Sequence, residues 1–100
     1  MTNLDIALKL IELQGEFSRT GASVHNDWHE TLNEVEVRLH NDGRKVFPRR
    51  ESATNDELIQ TLNDIKNRLQ KNIDSYNSVA NVHYPEYLEA VTAAIARLKE

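Results

Sequence analysis

A chain of 100 residues with a net charge of −4 and no cysteine holds one domain (residues 1–100) with one modest core. The composition excludes a disulfide framework, a thiolate metal site and a cysteine nucleophile, and its acidic balance argues against nucleic acid as the main partner. No run reaches the roughly 20 apolar residues that span a bilayer. Asp5 and Lys9 interrupt the first apolar stretch, so a cytoplasmic protein is expected rather than a secreted one.

The first predicted helix starts with Thr2 or Asn3 as its cap and stops before Gly21. It carries apolar side chains around too much of its circumference. Leu4, Ala7, Leu8 and Ile11 form one stripe, and Ile6, Leu10, Leu13 and Phe17 form a second. Asp5, Lys9, Glu12 and Glu16 fill a polar sector only roughly 60–80° wide. A helix packed on one side of a small core needs an apolar face of about 100°, so the remainder predicts a partner or a second copy. Ile6, Leu10, Leu13 and Phe17 are assigned to the outer, partner-binding stripe; under the reversed assignment Leu4, Leu8 and Ile11 lie outside. Gly15 costs about 1 kcal/mol relative to alanine inside a helix; it is either tolerated or lets another helix approach.

A second helix is read from Val24 to His40, with Trp28, Leu32, Val35 and Leu39 on one face, Glu34–Arg38 as an i, i+4 pair, and Asn41-Asp42-Gly43 as its stop. The same stretch, from Glu34 to Pro48, also reads as a β-hairpin, because Val35, Val37 and Leu39 alternate ahead of the Asn-Asp-Gly turn. The helical stripe is the longer pattern, and a lone hairpin is marginal in water. A connector from Gly43 to about Ala53 follows, with Pro48 barring regular helix and Arg44, Lys45, Arg49 and Arg50 clustered in it. Val46 and Phe47 are expected to anchor it.

Thr54 and Glu57 form a capping box for the third helix. Its stripe is Leu58, Leu62, Ile65, Leu69 and Tyr76, widened by Ile59 and Ile73, with Asn72 interrupting the heptad spacing. The fourth helix opens at Pro85 and buries Tyr87, Leu88, Val91, Ile95 and Leu98, with Glu86 and Glu89 near its start and Arg97 and Lys99 near its end, as the helix dipole favours. No internal repeat is visible. The predicted fold is all-α, a compact four-helix bundle, with three helices plus a hairpin at about 34–48 as the alternative.

Chemical signals are sparse. His25 and His29 lie four residues apart on one helical flank, and with Glu36 or His83 they could ligate a divalent metal; zinc needs at least three protein ligands. The HExxH motif opened by His29-Glu30 fails at Asn33. The basic loop 44–50 could contact phosphates, but Phe47 is its only ring, so base stacking is not indicated. Trp28 reads as core or as an interface anchor. His83-Tyr84-Pro85-Glu86-Tyr87 reads either as an aromatic recognition patch or as end packing. There is no phosphate-cradling glycine loop and no nucleophile elbow, so no enzyme and no cofactor are expected. The sequence predicts a non-enzymatic interaction module of the inhibitor, immunity or adaptor kind. It would act as a homodimer or on another protein through Ile6, Leu10, Leu13 and Phe17, with Arg49 and Arg50 giving selectivity. A metal-regulated protein and a nucleic-acid regulator are the alternatives.

Overall fold

The computed structural model describes residues 1–20, 26–40, 48–75 and 82–100. Among them are four helices and no strand: α1 (Asn3–Thr20), α2 (Asn26–His40), α3 (Asn55–Ser75) and α4 (Tyr84–Leu98). The hairpin alternative fails at its first strand, because Glu34–His40 forms the last turns of α2. A sustained helical stripe and the Glu34–Arg38 ion pair at 2.6 Å prevail over three alternating residues. Val46, Phe47, Arg44 and Lys45 lie outside the described residues, as do Val24, His25 and Tyr76.

The starts of α1, α3 and α4 have local causes. Thr2 caps α1: its hydroxyl accepts from the Asp5 amide at 3.1 Å, and its own amide donates to the Asp5 carboxylate at 3.0 Å. Thr54 and Glu57 do the same for α3 at 3.2 and 3.1 Å. Both boxes satisfy donors that a helix end otherwise leaves orphaned. Pro85 stands in the first turn of α4, where its missing N–H costs nothing.

α1 and α3 each pack on both α2 and α4, and hydrogen bonds joining the start of one helix to the end of the next make each neighbouring pair antiparallel. The core is one layer of large side chains from all four, with Ile6, Leu10, Leu13, Leu32, Val35, Leu58, Leu62, Ile65 and Leu69 fully buried. Fully burying each large aliphatic side chain contributes about 1.5–3 kcal/mol, so this layer dominates stability.

The two hairpins, α1–α2 and α3–α4, follow one plan. Buried Ile6, Leu10, Leu13 and Phe17 match Leu58, Leu62, Ile65 and Leu69 in order and spacing. On the second helices, Leu32, Val35 and Leu39 match Val91, Ala94 and Leu98, and Trp28 matches Tyr87. The polar ties match too. Asn3 Nδ2 donates to the Leu39 carbonyl at 3.1 Å and Asn55 Nδ2 to that of Leu98 at 3.2 Å. Arg97 in turn donates to Asn3 Oδ1, and Arg38 to Asn55 Oδ1. Thr-Asn opens both hairpins and Arg-Leu closes both. The expectation of no internal repeat is therefore corrected. The pattern escapes a sequence scan because few identities survive and the connectors differ in length, so no single offset aligns both helices.

Candidate functional site

The structure reverses the assignment of faces on α1. Ile6, Leu10 and Leu13 are fully buried and Phe17 is 4% exposed, so none of the four is presented to a partner in the folded chain. Their physical role is the one Leu58, Leu62, Ile65 and Leu69 play on α3. The stripe left outside is Leu4 and Leu8, 46% and 49% exposed, continued by Met1 at 43% and by half-buried Ile11. Ala7 of that stripe is buried and belongs to the fold.

Leu4, Leu8, Ile11 and Gly15 fall at i, i+4, i+7 and i+11, the spacing at which one helix meets another along a seam. A Cβ added to Gly15 would meet nothing within 4 Å, so no close approach inside this chain calls for glycine there. The matching positions on α3 are Asp56, Gln60, Asn63 and Asn67, all exposed and all polar. That contrast separates the seam from ordinary surface scatter, since single exposed aliphatics are normal on any protein.

The seam has an acidic rim. Asp5 and Glu12 are exposed beside it. The Thr2 backbone N–H holds the Asp5 carboxyl below its ordinary value. Lys9, the cation between them, is shared by Glu86 at 3.0 Å and Glu12 at 3.2 Å. These bonds raise the Lys9 pKa, Glu86 contributing most, and Lys9 lowers that of Glu86.

The described cations of the connector face inward. Arg49, 10% exposed, donates to the buried Glu34 carboxylate at 3.2 Å and also pairs with Glu51. Arg50 reaches Thr31 at 3.1 Å and Thr61 at 2.9 Å, between α2 and α3. Arg38 also bonds the Ala53 carbonyl at 2.7 Å. Arg49 and Arg50 thus staple the connector to α2 and α3. The sequence reading missed this because Glu34, 4% exposed, and Glu36, 1% exposed, look like solvated helix charges. Glu36 lies about 70° from the centre of the Trp28–Leu39 stripe, but Glu34 lies about 130° from it, so periodicity gives no signal for the burial of Glu34.

Among the described residues no group of three or more His, Cys, Asp and Glu side chains is placed to hold a metal ion. His29 is half-buried and meets Phe17 edge-on at 6.5 Å, while Trp28 tilts against the same ring at 5.5 Å. His25 lies outside the described residues. Tyr84 and Tyr87 pack at 6.2 Å with Tyr87 buried, and burial raises both phenols above their ordinary value. Tyr87 and half-buried Tyr84 thus pack at the end of the bundle, while His83, Pro85 and Glu86 are exposed. A shallow apolar groove of about 580 Å³ runs beside them, lined by Ile73, Pro85, Leu88, Thr92, Ala93 and Ala96 among others.

No helix among the described residues is long and apolar enough to cross a membrane. Comparison with protein-family models, with curated proteins and with solved structures returned no match.

Proposed function

We propose that this chain is a non-enzymatic protein-binding module that docks its partner along the outer seam of α1. One observation carries the reading: Leu4 and Leu8 are half-exposed where the equivalent positions of the second hairpin carry Asp56 and Gln60. The same helical plan is thus solvated at one copy of the position and left apolar at the other. Burying large aliphatic groups is the main source of free energy in protein association. An adaptor or inhibitor that acts by occupying another protein's surface fits a chain of this size.

The test uses the matched positions as their own control. A photo-crosslinking side chain is placed at Leu8 in one variant and at Gln60 in another, and both are irradiated in the producing cell. The expected result is a discrete adduct from position 8 that is absent from position 60. Equal labelling from both positions would remove the seam as a docking face.

A further inference from the structure

We infer that the occupant of the α1 seam is a basic amphipathic helix belonging to another protein, packed lengthwise over Leu4, Leu8, Ile11 and Gly15. This identification rests on the docking reading above and goes further by naming the chemistry of the partner. Three observations converge on it.

The first is spacing. Positions i, i+4, i+7 and i+11 stay in line only for a partner that is itself a helix running roughly along α1. From Leu4 to Gly15 the seam is about 17 Å long at 1.5 Å per residue, the length of three helical turns. A helix that inserts a few anchors binds with such a footprint.

The second is Gly15. Nothing in this chain approaches its missing Cβ, and a glycine inside a helix is conformationally costly. A gap at the end of an apolar seam lets a neighbouring backbone come close, which gives that cost a purpose.

The third is charge. Asp5 and Glu12 line the seam, and Lys9 is already shared between Glu12 and Glu86. The flank made by Asp5, Lys9, Glu12 and Glu86 therefore carries three acids to one base, and Arg19, the exposed cation one turn beyond Gly15, is paired with Glu16 at 2.5 Å, on a chain whose formal charge is −4. Lysines or arginines flanking the partner's apolar stripe complement it. A second copy packed antiparallel along the same seam would set Asp5 of one protomer against Glu12 of the other, two like charges at the edge of a small interface.

The experiment uses the full chain and two synthetic probes of about 18 residues, long enough to hold helix once bound. One carries leucine at i, i+3, i+4 and i+7 with lysine elsewhere; the other replaces every lysine with glutamate. Binding is read by anisotropy of a labelled probe, against wild type and against Leu4→Gln/Leu8→Gln. Wild type should bind the lysine helix at least about tenfold more tightly than either the double variant or the glutamate helix does. That affinity should weaken severalfold as salt rises from about 0.05 to 0.5 M.

Equal binding of both probes would overturn the basic partner while leaving the seam as a docking face. Binding of neither, together with a concentration-dependent dimer that Leu4→Gln/Leu8→Gln abolishes, would assign the seam to a second copy. Binding of neither by a chain that stays monomeric would sink both readings. Circular dichroism of the double variant guards against misfolding, and Asp56→Asn/Gln60→Glu on the matched face should leave probe binding unchanged.

Discussion

The hairpins α1–α2 and α3–α4 reach one core through matched side chains, yet they treat their outer faces differently. On α2 the flank beside Thr31 and Glu34 is closed by the chain's own connector, through Arg49 and Arg50. On α4 the equivalents are Ala90 and Ala93, and Ala93 lines an open apolar groove. On α1 the outer seam is aliphatic where α3 carries Asp56, Gln60 and Asn63. Features shared by the two hairpins are what a four-helix core requires. Features present in one alone are not set by that core: the connector accounts for those on α2, and the proposed partner would account for those on α1.

The strongest way to break the comparison is to cut equivalent positions out of the core. Leu10→Ala and Leu62→Ala each remove a fully buried side chain and should each cost about 2–5 kcal/mol, the spread set by how far each cavity collapses. Urea unfolding of both variants checks this. A loss below about 1 kcal/mol at Leu10 would mean that α1 does not play the part of α3, and would reopen its inner stripe as a partner surface.

Where the hairpins differ, an asymmetric loss is expected. Glu34→Ala leaves Arg49, whose side chain is only 10% exposed, with the exposed Glu51 in place of its buried carboxylate, a loss of up to about 3 kcal/mol. Much of that cost is a guanidinium held at a mostly buried site by an exposed carboxylate alone, so adding Arg49→Met should restore about half of it. No recovery in the double variant would show that Glu34 matters through packing or Arg38 instead.

The legible part of this structure was the part governed by period. The α3 stripe from Leu58 to Leu69, the capping box at Thr54 and the entry of α4 at Pro85 all follow from spacing and backbone chemistry. The choice between the two α1 stripes was not legible, because a helical wheel ranks apolar faces by content and Ile6–Phe17 and Leu4–Ile11 are nearly equal in content. Only the packing of α2 and α4 on either side decides between them. The burial of Glu34 and Arg49 was hidden for a related reason. A connector that folds back over a helix flank turns surface charges into an interior pair, and no local pattern announces that return.

Removing the caps tests the two hairpins at a smaller scale. Thr2→Ala and Thr54→Ala should each cost about 1 kcal/mol at neutral pH. Asp5 and Glu57 are both held below their ordinary values of 3.8 and 4.5, chiefly by the amides of Thr2 and Thr54. A lowered carboxyl contributes stability that is present above the unfolded value and is lost as pH falls through the folded one. The deficit of each variant relative to wild type should therefore shrink below about pH 4. A deficit that stayed constant down to pH 2 would show that the hydroxyls matter without their carboxylate partners.

The smallest effect on folding separates seam from surface most sharply. Gly15→Ala should stabilise the chain by about 0.5–1 kcal/mol, since alanine lowers the entropy of the unfolded chain and is the better helix former, and its Cβ meets no atom within 4 Å. Asn67→Ala at the matched position of α3 should stabilise by about half a kcal/mol on propensity alone. In thermal unfolding the two variants thus resemble one another. They part in binding: the methyl group at position 15 lies where a docked helix would approach, so Gly15→Ala should weaken the lysine-helix complex while Asn67→Ala leaves it as it was. A stabilised Gly15→Ala chain with undiminished affinity would place the partner's backbone elsewhere on α1 and confine the seam to Leu4 and Leu8.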